Sequence, residues 1–255
     1  MAPAYCGIFM GELEKRLIEL DSERIKLWVR YIDDIFVVWQ GPQTDFEHFV
    51  QQCNKLHPTI KFTSECSETE INFLDMTIYK GTRFQDRHML DIKTYTKPTN
   101  TQAYVHGSSF HPNGIGKSIA LGEAYRALRT NTDKTNFLQQ ILKVQNALLS
   151  RGYREKVIKN LIKRVRYKDR HTVIYKSKQK VTQTPSTPTI ALTYNTHISQ
   201  VRTELNLIWN DVQKNPFLNK LYPTPPRIAL KKNRSLGNIL VSAKLKKQTP
   251  RNVPQ

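Results

Sequence analysis

Cysteine is scarce. Cys6, Cys53 and Cys66 are the only three in 255 residues, they form no CxxC pair, and an odd one is left over, which favours free thiols over a disulfide framework. Reduced thiols in an intracellular protein are the expectation. No apolar run approaches the length of a membrane span and no secretory signal opens the chain, so no membrane partner is predicted. The seven histidines show no ligand spacing, and His106 and His111 in "HGSSFH" read as loop residues, not a zinc site. Glycine is missing where "NGIGKS" would need it. A phosphate-binding loop (GxxxxGK, then Ser or Thr) requires glycine at the position of His111, and no strand leads into the segment. There is no internal repeat.

Acidic residues are also in short supply, but unevenly. The formal net charge is +19. Residues 1–75 hold 7 Lys+Arg against 13 Asp+Glu, a net of −6, while residues 76–255 hold 33 against 8, a net of +25. A cationic excess of this size points to a polyanionic partner, most simply nucleic acid. The hydrophobic fraction of 38% leaves enough apolar side chain for a genuine core.

The patterning predicts an α+β fold. Pro3 suits a first helical turn, and Phe9, Leu13, Leu17 and Leu20 recur at helical spacing. "RIKLWVRYIDDIFVVWQG" reads as a hairpin. A second helix follows in "TDFEHFVQQCNKLH", with Phe46, Phe49, Val50 and Cys53 on one face and Thr44 as its N-cap. "TIKFTSE", "INFLDMTIYKG" and "MLDIKTYTKP" read as strands, giving antiparallel hairpins with covering helices over residues 1–100. Residues 101–170 turn helical. Phe137, Leu138, Ile141, Leu142, Leu148 and Leu149 mark one helix, the turn falls at Gly152, and Val157, Ile158, Leu161, Ile162 and Val165 mark the next, over "YREKVIKNLIKRVRYK". Residues 171–188 have the composition of a linker. Residues 189–245 are expected to hold a strand, a helix, a Pro-rich turn and a short helix, and residues 246–255 to be a disordered tail.

Asp33 and Asp34 are the unusual feature. Adjacent carboxylates repel each other, and a plain hairpin turn is better served by Asn-Gly or Asp-Gly. Two carboxylates held by rigid strands supply the hard oxygens that Mg2+ prefers, with waters left to exchange for phosphate. In a two-metal site such ions activate the attacking hydroxyl and stabilise the leaving oxygen of phosphoryl transfer. The plainer reading is that Asp is a common turn residue.

The flanks extend the pattern. "YIDDIF" resembles the YxDD box of reverse transcriptases, and the surrounding segments resemble the Penelope-like retroelement branch. "MAPAYCGIFMGELE" is similar to the palm motif before that box, "INFLDMTIY" to the primer-grip hairpin, and "TYTKPTN" with "SSFHPNGIGKSIALGEAYRALR" to the lead-in of the thumb. Asn100 departs from the commoner "KPTD". "PPRIALKKNRSLGNILVSAKL" is similar to the segment before the GIY-YIG nuclease of complete elements. The resemblance implies a palm remnant (1–100), a helical thumb (101–170) and a connector (189–245). It implies Asp33 and Asp34 as catalytic ligands of Mg2+ or Mn2+, Tyr31 beside nucleotide or primer, Lys61 near the leaving pyrophosphate, and a template–primer duplex as partner. A further aspartate and the basic residues of the fingers would lie upstream of Met1. The expectation is therefore a fragment without polymerase activity of its own, unless an upstream segment completes it in trans.

The second helix of the pair carries the densest charge: Arg154, Lys156, Lys159, Lys163, Arg164, Arg166, Lys168 and Arg170. Cations in this number suit phosphate contacts along a duplex, which need little base reading. Helix, short glycine turn, helix also describes a helix-turn-helix DNA reader, and a domesticated protein of that kind is the alternative. The helix is dominated by Lys and Arg, not by the Asn, Gln and Ser that commonly read base edges.

Overall fold

The computed structural model describes residues 2–112, 114–175 and 188–233. The chain divides into two units, residues 1–104 with 120–174 and residues 105–119 with 175–255.

In the first unit, helix α1 (Ala2–Glu19) turns Leu13 and Leu17 inward, while Phe9 on it and Leu20 just beyond it are exposed. Strands β1 (Ile25–Tyr31) and β2 (Asp34–Trp39) form an antiparallel hairpin. Helix α2 (Gln43–Leu56) closes it by burying Phe49 and Cys53. These four buried side chains make a core, and Trp28, Trp39 and Phe46 pack around them. Burial pushes the Cys53 thiol up to about 11, against the pull of a backbone hydrogen bond, so it behaves as a small hydrophobe.

Two local expectations change here. The N-cap of α2 is Pro42, not Thr44: proline's fixed φ of −60° sets the start of the helix, and no side chain caps it. Residues 59–65, "TIKFTSE", form no strand. Asn54 occupies both backbone groups of Phe62, accepting from its N–H at 2.6 Å and donating to its carbonyl at 2.9 Å, which leaves nothing there for a ladder.

A second antiparallel sheet follows in the order β3 (Glu70–Phe73), β4 (Met76–Tyr79), β5 (Asp91–Thr94), with a short helix α3 (Thr82–Arg87) between β4 and β5. Gly81 permits this sheet's closure, because a Cβ there would lie 2.3 Å from Asp91 Oδ2. Asp91 is buried and ionic, held by Arg83 and by the Thr132 hydroxyl at 2.7 Å.

Helices α4 (Ile115–Thr130), α5 (Lys134–Ser150) and α6 (Glu155–Ile162) come next. Residues 130–132, the last residue of α4 and the first two of its link to α5, serve as the missing neighbour of β5. The Thr132 N–H donates to Ile92 O at 2.9 Å, Ile92 N–H to Thr132 Oγ1 at 2.9 Å, and Thr94 N–H to Asn131 Oδ1 at 3.1 Å. This edge would otherwise present unpaired backbone groups. The helical expectation for residues 153–168 is divided: α6 stops at Ile162, a 3-10 turn covers Tyr167–Asp169, and helix α7 runs Arg170–Tyr175. The expected linker at 171–188 is therefore helical through Tyr175, and residues 176–187 of it lie outside the described residues.

The second unit pairs strand β6 (Thr189–Thr193) with strand β7 (Arg227–Lys231) in parallel. Ile190 meets Ile228 and Leu192 meets Leu230, so the apolar rows coincide. Helices α8 (Ile198–Gln213) and α9 (Pro216–Leu221) connect them. Part of the expected Pro-rich turn is thus strand β7. The expected short helix near residues 236–245 and the tail at 246–255 lie outside the described residues. The fold is mixed α+β, with the antiparallel hairpins and helices the sequence predicts.

Candidate nucleic-acid interface

The helix pair begins with a real cap. Asp133 precedes α5 and its carboxylate accepts from the Asn136 N–H at 3.0 Å. At the far end Arg151 is the C-cap and Gly152 takes φ 77°, a left-handed value that costs a side chain-bearing residue roughly 1 kcal/mol or more. The Tyr153 N–H reaches Leu148 O at 3.3 Å and the Gly152 N–H reaches Leu149 O at 3.0 Å, the paired bonds of a Schellman motif. The chain therefore reverses within residues 151–154 and α6 packs back against α5.

Burial then sorts α6 by helical face. Ile158, Leu161, Ile162 and Val165 are buried, with Phe137, Ile141, Val144 and Leu148 buried on α5. Lys156, Lys159, Asn160 and Lys163 recur at i, i+3, i+4 and i+7 and are all exposed. Val157 is exposed as well, as are Leu138 and Leu142 on α5, so these three stand outside the buried face on which the sequence reading put them. Asn160 is the residue sequence reasoning passed over. Its signal was its place on the lysine row.

The eight cations are not equivalent. Lys159 pairs with Glu155 at 2.5 Å and Arg166 with Asp169 at 2.9 Å. Such exposed pairs add about 0–1 kcal/mol, so a phosphate can compete for either cation. Arg170 has turned inward, donating to Leu128 O at 3.1 Å and Arg129 O at 3.2 Å, where it caps the C-terminal end of α4. That is a fastening role, and Tyr167 shares it by donating to Thr132 O while its ring lies 5.7 Å from Phe137. Arg154, Lys156, Lys163, Arg164 and Lys168 are exposed and make no ion pair among the described residues.

The hairpin tip is the other site the sequence singles out. Tyr31 ends β1 opposite Asp34, which opens β2, so Ile32 and Asp33 alone make the turn. Tyr31, Asp33 and Asp34 are exposed. Ile32 sits at φ 60° and is 71% exposed, an unfavourable conformation for a β-branched residue. Arg30 holds the tip, donating to Ile32 O at 3.0 Å and pairing with Glu14 of α1 at 2.7 Å. Glu14 also accepts from the Trp28 indole N–H at 2.9 Å. Asp33 and Asp34 offer hard oxygens of the type Mg2+ or Mn2+ takes. Among the described residues, no three His, Cys, Asp or Glu gather where they could hold an ion. Lys61 lies in a loop and donates to Asn54 O at 2.6 Å and His57 O at 3.4 Å, at the C-terminal end of α2. No helix among the described residues is long and apolar enough to cross a membrane.

Set against known proteins, the chain matches no curated protein and no solved structure. Residues 103–163, which contain α4, α5, the Gly152 turn and α6 whole, match the family described as the animal helix-turn-helix domain.

Proposed function

We propose that the chain binds nucleic acid through the α5–α6 pair, with Arg154, Lys156, Lys163, Arg164 and Lys168 on backbone phosphates. The observation that carries this reading is the division of α6, whose apolar side is buried while its lysine row stands in solvent. The helix-turn-helix match over residues 103–163 supports DNA as the partner, and the net charge of +19 supports a polyanion. Asn160 within the row gives the helix one side chain able to pair with an adenine edge.

A second reading makes the same helix pair the thumb of a Penelope-like reverse transcriptase, with the hairpin tip as its palm. It is favoured by the tip itself: two exposed carboxylates beside an isoleucine at φ 60°. Backbone strain of this kind costs roughly 1–3 kcal/mol and concentrates at functional sites. On this reading Asp33 and Asp34 would hold the metal, Tyr31 would face nucleotide or primer, and an upstream polymerase segment would act in cis or in trans.

Selection from a random-sequence DNA pool separates the readings. Retention of DNA with one enriched motif, lost in Asn160→Ala, is the result expected of a base reader. Retention without a motif, together with tighter binding of an RNA–DNA template–primer hybrid, is expected of a thumb. No retention at low salt would contradict both.

A further inference from the structure

On α5, Lys143, Asn146 and Ser150 occupy one exposed helical face, with Leu142 beside Asn146 at its edge. With Arg151 at the helix end they form one wall of an open groove of about 620 Å³, and the loop at residues 101–103 forms the other. That loop is fixed in place. The Gln102 N–H donates to Asn100 Oδ1 at 2.9 Å, Gln102 takes φ 50°, and Arg151 Nε donates to Tyr104 O at 2.9 Å. No carboxylate lines the groove; its polar groups are two cations, two amides and two hydroxyls. Lys143 and Asn146 are exposed and have no hydrogen-bond or ion-pair partner among the described residues.

We infer that this groove is a second phosphate-binding track, which takes the backbone of the same nucleic acid that α6 engages. The chemistry fits an anionic, hydrogen-bond-accepting ligand. Arg151 belongs both to the groove wall and to the turn that leads through Arg154 into α6, so the two sets of cations are continuous along the chain. Donors that meet phosphates fix the register of a strand without reading its sequence. The inference rests on the nucleic-acid reading of the helix pair.

The test is fluorescence anisotropy of the full chain on a labelled random-sequence duplex and on a labelled single strand, across a salt series. Lys143→Glu with Asn146→Asp is expected to weaken binding about tenfold and to lower the magnitude of the salt slope by about one. Lys143→Arg is expected to bind as the wild type does. An unchanged affinity and slope in the double variant, with weakening by α6 substitutions, would overturn the groove and leave the helix-turn-helix reading intact. Weakening by the groove variant alone would support the groove and remove α6 as the principal contact. A wild-type chain that binds neither probe would overturn both.

Discussion

Replacing Lys156, Lys163 and Arg164 together with alanine is expected to weaken binding to duplex DNA about 100-fold near physiological salt. Each phosphate neutralised contributes about 0.9 to the logarithmic salt slope, which at 0.15 M salt corresponds to roughly 0.7 decades of affinity per contact. Three contacts therefore amount to about two decades, with the magnitude of the slope reduced by about three. The three side chains are exposed and make no ion pair among the described residues, so their truncation breaks none. Circular dichroism and thermal melting should match the wild type. A change in affinity of less than threefold would show that α6 is a solvated face and nothing more. Arg170→Ala is a useful contrast: its loss uncaps the carbonyls of Leu128 and Arg129 and should lower stability before it lowers intrinsic affinity.

The second large effect concerns Asn131, which is only 1% exposed and joins the helices to the β3–β4–β5 sheet. Its amide nitrogen donates to Thr94 Oγ1 and to Ala127 O, both at 2.7 Å, while its oxygen accepts from the Thr94 N–H at 3.1 Å. Asn131→Leu fills a similar volume but leaves the Thr94 N–H and the Ala127 carbonyl unmatched. A buried polar group left without a partner costs about 1–3 kcal/mol. The variant should therefore lose about 3 kcal/mol, a fall in Tm of roughly 10 °C for a unit of this size. Loss of less than 1 kcal/mol would mean that residues 130–132 are not the edge that completes β5.

The parts of the fold that local chemistry specifies were legible. The α5–α6 reversal could be read because glycine stands at the one position that needs φ 77° and apolar periodicity is strong on both sides. The β1–β2 hairpin was legible from two β-rich runs meeting at the aspartates. Face assignment was less secure. Leu138 and Leu142 lie one residue beyond Phe137 and Ile141, so adjacent pairs blurred a face only about 100° wide. The end of α6 at Ile162 has no glycine or proline to announce it; the break arises where Tyr167 and Arg170 reach carbonyls some 35 to 42 residues earlier in the chain. Likewise, "TIKFTSE" has strand-like alternation, but Asn54 claims the backbone of Phe62. Residues 130–132 beside β5 and the parallel pairing of β6 with β7 are nonlocal in the same sense. At the candidate site, charge in the sequence singled out the second helix of the pair, whereas only the packing showed that Arg170 points inward.

The most direct measurement is the affinity of the wild-type chain for a random-sequence DNA duplex as a function of sodium chloride concentration. Five cations on and around α6 that make no ion pair among the described residues predict a straight line of log Kd against log salt with a slope of about 4.5 in magnitude, binding weakening as salt rises. An affinity that stays flat across the series would contradict phosphate recognition by this helix pair.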